Sequence, residues 1–168
     1  MFRQVSTVVL VLLAALGSLA VATAEEPTPA PPRNDREVIQ GEWEVVTDWE
    51  AGGRDTSSFS SRGHIFVFEG ARIFPVDGGK RADPMTFSLE TSKRPKQIDW
   101  TWKIEGITML VRGVYSLDGD VLRIAGVAGT DRDPPTRPTR LESTKESKHF
   151  LWELSRRNSK AKASVNSR

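Results

Sequence analysis

The sequence predicts an all-β fold, a small antiparallel barrel of about eight strands with one short helical turn before the first strand. Between Gly41 and Leu154, short segments alternate apolar and polar residues with a period of two, which is typical of strands with one buried face. Residues that favour tight turns separate these segments. The first segment opens with Gly41-Glu42-Trp43, so a large indole enters the space that the sheet would enclose. A barrel of this size either fills its interior with side chains or encloses a ligand.

The segment before the first strand predicts a single helical turn over residues 36–40. Asn34 or Asp35 can cap its start, because a side-chain oxygen there can accept a backbone N–H bond, and Gly41 would end it. The first strand, residues 42–49, alternates cleanly. One face carries Trp43, Val45, Thr47 and Trp49, and the other, solvent-facing side carries Glu42, Glu44, Val46 and Asp48.

Seven further strands follow from the same alternation and from the turn residues between them. Asp77-Gly78-Gly79 supplies the positive-φ residues that a tight turn needs, and Asp118-Gly119 indicates a two-residue hairpin. Two longer connections, residues 51–61 and 131–140, are predicted to be loops, and three prolines stiffen the second. The seven strands cover residues 62–69, 72–76, 85–90, 97–104, 107–117, 121–124 and 150–154.

The chain divides into four segments. Residues 1–24 combine a charged start, an apolar run and the step Ala22-Thr23-Ala24, which is the pattern of a cleaved secretory signal peptide. A proline-rich linker, residues 25–34, leads into the barrel domain, residues 35–155, and the basic residues 156–168 are predicted to be a disordered tail. We therefore expect an exported protein, periplasmic or secreted, with no membrane span after signal cleavage.

Composition and charge argue against several classes of function. The sequence has no cysteine, so it can form neither a disulfide nor a thiolate metal site. Residues 25–155 carry 18 basic and 22 acidic side chains, which is a poor surface for nucleic acid. His64 and His149 stand outside any motif of general-base catalysis, and their separation offers no metal-ligand spacing. We expect no enzyme activity, no metal and no cofactor.

Similarity to a known family rests on five segments that together span nearly the whole predicted domain. In chain order they are residues 39–46 with the Gly-x-Trp step, Phe66-Val67-Phe68-Glu69-Gly70, residues 94–99, residues 113–124 and Arg137-Pro138-Thr139. As a set they resemble an uncharacterised family of exported, lipocalin-like domains abundant in planctomycete bacteria. The resemblance implies a lipocalin-like barrel in which Trp43 sits at the closed end. It also implies a basic residue of the last strand region beside that indole, for which Arg156 and Arg157 are the candidates.

An aromatic set is the candidate ligand-binding site. Aromatic-lined concavities favour apolar or planar ligands, but the same side chains can also fill a barrel as ordinary core. The set consists of Trp43, Phe66, Phe68, Trp100, Trp102 and Tyr115.

Two functions are therefore open at the level of sequence. The first is a non-enzymatic binding module that holds a small apolar or amphipathic ligand in the barrel interior. The second is a structural or protein-interaction domain whose filled barrel displays its loops, residues 51–61 and 131–140, to an envelope protein. A solid core would favour the second function over the first.

Overall fold

The computed structural model describes residues 34–55 and 61–157. The predicted signal peptide, the linker up to residue 33, residues 56–60 of the first loop and residues 158–168 of the tail lie outside the described residues. Among those described, no helix has the length and apolar character needed to cross a membrane. The elements are α1 (Asp35–Val38), β1 (Gly41–Glu50), β2 (Gly53–Arg54), β3 (Ile65–Glu69), β4 (Arg72–Asp77), β5 (Lys80–Arg81), β6 (Met85–Glu90), β7 (Lys96–Ile104), β8 (Ile107–Asp118), β9 (Val121–Thr130) and β10 (Phe150–Arg156).

Antiparallel pairing closes the eight longer strands into a barrel. The strands pair in the order β1-β3-β4-β6-β7-β8-β9-β10, and β10 returns to pair with β1. The two-residue strands β2 and β5 only add to β1 and β4. Closure removes the long free edges that an open sheet would expose. The predicted fold class, an all-β lipocalin-like barrel of about eight strands with a short N-terminal helical turn, is confirmed.

The turn chemistry sets the register of the hairpins. Asp77 pairs with Lys80 across Gly78 and Gly79, whose φ angles of +53° and +80° confirm the predicted positive-φ turn. Asp118 pairs with Val121 and so confirms the second predicted hairpin. The predicted start of the second strand at residue 62 is wrong, because a turn occupies residues 62 and 63 and β3 begins only at Ile65.

A β-bulge in β1 overturns the predicted alternation of the first strand. Val45 pairs with Leu154 of β10, but the next pair is Thr47 with Glu153, so β1 has one extra residue. A one-residue insertion exchanges the two faces of the strand beyond it. Asp48, predicted to face solvent, lies opposite Trp152 and is 5% exposed. Trp49, predicted to share a face with Trp43, lies on the opposite face from it.

The barrel interior holds the hydrophobic core. Each strand directs alternate side chains inward, and the residues so placed pack into one cluster. Its members are Ile39, Trp43, Val45, Phe66, Phe68, Ile73, Phe87, Ile98, Trp100, Val111, Tyr115, Leu122, Ile124 and Leu154.

The predicted proline-rich loop after β9 lies along the outside of the barrel. The Arg137 guanidinium forms a two-point ion pair with the Asp99 carboxylate of β7, with 2.7 Å between Nη2 and Oδ2, and donates to the Gly113 carbonyl of β8 at 2.7 Å. Pro138 beside it is buried. Bidentate arginine–carboxylate pairs fix geometry well, so this loop is fastened at its middle to two strands.

Gly126 of β9 provides a test of the interior packing. It pairs with Phe150 of β10, and a Cβ at Gly126 would lie 3.0 Å from Cε1 of that ring and closer still to Cζ. We expect Gly126→Ala to lower the free energy of unfolding by about 1–3 kcal/mol, because overpacking displaces the ring. Urea unfolding measures this change.

Gly53 offers a matched control, because its φ is not positive and the nearest atom to an added Cβ is the Glu50 carbonyl oxygen at 3.9 Å. Gly53→Ala should leave the unfolding free energy within about 0.5 kcal/mol. Equal effects of the two substitutions would contradict the close packing of Phe150 on Gly126.

Candidate functional site

A short helix closes one end of the barrel, which we name the closed end. Asn34 caps α1, since its Oδ1 accepts from the Arg36 backbone N–H at 3.2 Å. The Asp35 side chain points into the barrel and is buried. Its Oδ2 accepts from the Tyr115 hydroxyl of β8 and from Nζ of Lys96 of β7, each at 2.7 Å. One carboxylate therefore joins the helix to two strands.

The environment of Tyr115 keeps its phenol protonated. Burial raises the pKa of Tyr115 well above its ordinary value, and the hydrogen bond to the Asp35 carboxylate and the charge of that carboxylate raise it further. A phenol in this state is a hydrogen-bond donor and a poor base. At the closed end Tyr115 therefore acts as a hydrogen-bond donor that joins β8 to Asp35 of α1.

The second closed-end contact joins α1 to the first and last strands. The guanidinium carbon of Arg156 lies 4.2 Å from the centre of the Trp43 ring, in a cation–π arrangement. Arg156 also donates to the carbonyls of Val38 and Gln40, and the Trp43 indole N–H donates to the Ile39 carbonyl at 2.7 Å. Three successive carbonyls at the end of the helix thus receive donors from β1 and β10.

Arg156, rather than Arg157, is the basic partner of Trp43. The Arg156 Nε also donates a hydrogen bond to Asp120 Oδ1 at 2.9 Å. Arg157 instead turns outward, where its guanidinium lies 3.7 Å from Glu42 and 3.5 Å from Glu44. The sequence left open which of the two adjacent arginines contacts Trp43. In β10, residues 152, 154 and 156 share the face that points into the barrel, so Arg156 makes this contact.

A small cavity lies in the barrel interior. It measures about 10 Å³. A single water needs about that volume, and an apolar cavity of this size stays dry. The lining is entirely apolar or aromatic and comprises Phe66, Phe68, Ile73, Met85, Trp100, Ile124, Trp152 and Leu154.

A stack of four aromatic rings occupies the barrel on the side away from α1. Phe150 and Trp152 lie 4.4 Å apart between ring centres, Trp152 lies 5.5 Å from Phe66, and Trp100 lies 6.2 Å from both Phe150 and Trp152. Such offset contacts add to the stability that burial gives. Phe150 and Trp152 were not in the predicted set, although the alternation of the last strand would have placed both inward with Leu154.

The structure does not gather the six predicted site residues into one pocket. Phe66, Phe68 and Trp100 line the interior cavity. Trp43 and Tyr115 lie at the closed end, where their polar atoms bond to α1 and Asp35. Trp102 packs against the core from the opposite end. Ligand binding by this set stays a prediction, and the three cavity residues are its best-placed part.

The end opposite α1, which we name the open end, has a shallow hollow beside the interior cavity. It measures about 150 Å³ and shares Phe66 with that cavity. The other lining residues are His64, Ile65, Pro75, Val76 and Asp77. Pockets for drug-sized ligands are usually about 300–1,000 Å³, so this hollow would hold only a small group.

The buried Asp48 organises the loop at this end. Its Oδ2 accepts from the Ser61 backbone N–H at 2.6 Å, and its carbonyl accepts from the Asp55 N–H at 2.8 Å. One residue of the bulged strand therefore anchors both sides of the 51–61 connection. Within the described ranges, no group of three or more His, Cys, Asp or Glu side chains could hold a metal ion, and no buried side-chain nitrogen or oxygen lacks a hydrogen-bond partner.

Comparisons with known proteins add no assignment to this geometry. No protein family, curated protein or solved structure matches the chain. The resemblance to the exported lipocalin-like family therefore stays a prediction, and the functional argument rests on the chain's own residues.

The Arg156 contact yields a stability prediction. Arg156→Lys keeps the charge but loses the planar stacking and most of the hydrogen bonds, and we expect it to lower the free energy of unfolding by about 2–4 kcal/mol. Chemical unfolding followed by tryptophan fluorescence measures the change.

Arg157→Lys is the matched control for that substitution. The ion pairs of Arg157 are long and partly exposed, so the expected change is below about 1 kcal/mol. If Arg156→Lys lowered the free energy of unfolding no more than Arg157→Lys does, the role given to the Arg156 guanidinium stacked on Trp43 would be contradicted.

The raised pKa of Tyr115 predicts how stability depends on alkaline pH. In the unfolded chain the phenol ionises near pH 10. Because the folded-state pKa lies above that value, the stabilisation is complete below pH 10 and is lost as pH rises from there toward the folded-state pKa. The chain has one tyrosine, so ultraviolet absorbance of phenolate reports this residue alone.

We expect no phenolate in the folded protein at pH 10.5 and a decline in unfolding free energy above pH 10. Tyr115→Phe should be less stable at neutral pH, since it removes a donor from a buried carboxylate, and its alkaline decline should be shallower. Half-ionisation of Tyr115 near pH 10 in the folded state would contradict this account.

Proposed function

We propose that this protein is an exported, non-enzymatic interaction domain, in which a filled β-barrel serves as a rigid scaffold for loops that bind an envelope protein. The observation that supports this most strongly is the interior cavity of about 10 Å³, which has no room for a ligand unless the aromatic stack moves. The side chains around this cavity pack against one another and stabilise the barrel. A partner would then bind to the barrel surface.

The loop after β9 is suited to such a display. Arg137 and Pro138 fasten its middle to the barrel wall, while residues 131–134, 136, 139 and 140 around them are exposed. Binding loops held by a rigid scaffold lose little conformational entropy when they bind. The turn at Gly52 lies against the later half of the β9–β10 connection, where its N–H donates to Ser143 Oγ at 3.2 Å. Part of the 51–61 loop is therefore a neighbour of the β9–β10 connection at a point just beyond the predicted loop 131–140.

A capture experiment tests this proposal. The immobilised mature domain, with the envelope fraction of its source cells as the sample, should retain a protein whose purified form then binds in a saturable manner. A variant with Pro134→Gly, Thr136→Ser and Arg140→Ser should weaken that binding at least tenfold. It should lower the unfolding free energy by no more than about 1 kcal/mol, the expected effect of losing one loop proline, because Arg137 and Pro138 remain.

Asp118→Ser, in the exposed hairpin at the closed end, is the control and should bind like the parent. Failure to find any saturable partner, or a partner that the loop variant binds equally well, would contradict the proposal.

The second candidate function is the small-ligand module, and the open-end hollow beside Phe66 favours it. Phe66 lines both this hollow and the interior cavity, so a rotation of its ring would join them. β4 and β6 share only two residue pairs, Arg72 with Thr86 and Ile73 with Met85, which makes this the most sparsely paired seam between barrel strands.

Titration with N-phenyl-1-naphthylamine and with palmitate distinguishes the two functions. A saturable 1:1 quenching of tryptophan emission would favour the ligand module, whereas unchanged emission agrees with the filled scaffold.

A further inference from the structure

The hairpin between β7 and β8 carries exposed apolar side chains at its tip. Ile104 and Ile107 are 51% and 42% exposed, the two highest exposures among the large hydrophobic side chains of the described residues. They pair with each other across the hairpin, and the next inward-facing pair is Trp102 with Met109. These four residues, which we name the tip strip, continue the apolar inner wall of the barrel beyond its open end.

The tip strip is rigidly presented. The turn residues Glu105 and Gly106 have φ angles of +49° and +81°, the left-handed combination that matches the twist of a two-residue hairpin. Glutamate at such a φ is unfavourable, and strain of this kind is often retained at functional positions. On the β9 side, the Asp131 N–H donates to the Thr108 carbonyl at 3.0 Å and supports the base of the hairpin.

The other side of the tip is an unpaired sheet edge. Pairing between β6 and β7 ends at Thr86 with Thr101. In the part of the chain that the structure describes, residues 102–104 pair only with β8. A strand edge next to exposed apolar side chains is a template for another extended segment, since main-chain bonds provide affinity and alternate side chains provide specificity.

Size and charge argue against the other occupants of this surface. Two isoleucines cannot supply the area of about 800 Å² per partner that a stable dimer buries. The hairpin tip and the residues that follow β9 beside it carry Lys103, Glu105, Asp131, Arg132 and Asp133. With more acidic than basic groups, this segment offers no attraction to an anionic lipid surface.

We propose that the tip strip and the free edge of β7 bind an extended apolar segment of a partner protein, which adds as a strand beside residues 102–104. This inference rests on the proposed interaction function and names the surface and the kind of partner. The described chain begins at α1 and ends beside it, whereas β7 runs from Lys96, at α1, to Ile104. The tip is thus at the far end of a strand that spans about 26 Å, away from both ends of the described chain.

Selection from a displayed library of random 12-residue peptides tests the inference on the mature protein. We expect enrichment of peptides with alternating apolar residues. Their affinity should fall at least tenfold for the double variant Ile104→Thr, Ile107→Thr, which keeps β-branched side chains and so preserves strand propensity. Val121→Thr, which changes an exposed hydrophobic residue at the closed end, is the control and should leave the affinity unchanged.

A second measurement separates strand addition from simple apolar contact. Bound peptide should protect backbone amides within residues 102–104 from hydrogen exchange, and N-methylation of alternate peptide amides in one of the two registers should abolish binding. Failure to enrich any peptide, binding that the double variant retains, or protection confined to other strands would overturn the inference.

Further outcomes would assign the tip to another occupant and would also overturn it. One is a dimer in sedimentation experiments that the double variant loses, and another is flotation with phosphatidylglycerol vesicles that depends on the two isoleucines. If an envelope partner found by capture binds the double variant with unchanged affinity, the tip is excluded while the proposed interaction function stands.

Discussion

The closed end of the barrel depends on Arg156 and Trp43, which together satisfy the carbonyls of Val38, Ile39 and Gln40. A helix of four residues has no stability of its own, because nucleation costs more than so few hydrogen bonds return. The donors that hold it come from β1 and β10, the two strands whose pairing closes the barrel. The same contacts therefore seal one end and fix the seam, in a chain with no cysteine to crosslink it.

The closed end and the packed interior stabilise the barrel together. Ile39 and the Asp35–Tyr115 bond cover one end, and in the interior a stack of aromatic rings borders a cavity of only about 10 Å³. Close packing makes such a core stiff. A stiff barrel can hold loops and hairpin tips in fixed positions, so the physical features that stabilise this fold are also those that suit it to display a binding surface.

The local sequence pattern predicted the architecture of the barrel. It could not predict the polar contacts between residues that are far apart in the sequence. Period-two alternation and turn residues placed the strands, and the Gly-x-Trp resemblance pointed to Trp43 and a nearby arginine. The bulge in β1 escaped, because the step Val45-Val46, which interrupts the alternation, also fits a regular strand with one apolar residue on its solvent-facing side. Contacts such as Arg137 with Asp99, or Tyr115 with Asp35, join residues 38 and 80 positions apart, and only the closed topology brings them together.

Solvent exchange of the Trp43 indole N–H, observed by NMR in the folded protein, tests the sealed closed end most directly. This proton is bonded to the Ile39 carbonyl beneath the Arg156 guanidinium, so we predict that it exchanges only through global unfolding, at the rate of the slowest barrel amides. Exchange within seconds, at the rate of an exposed indole, would show that the end is open and would contradict the account.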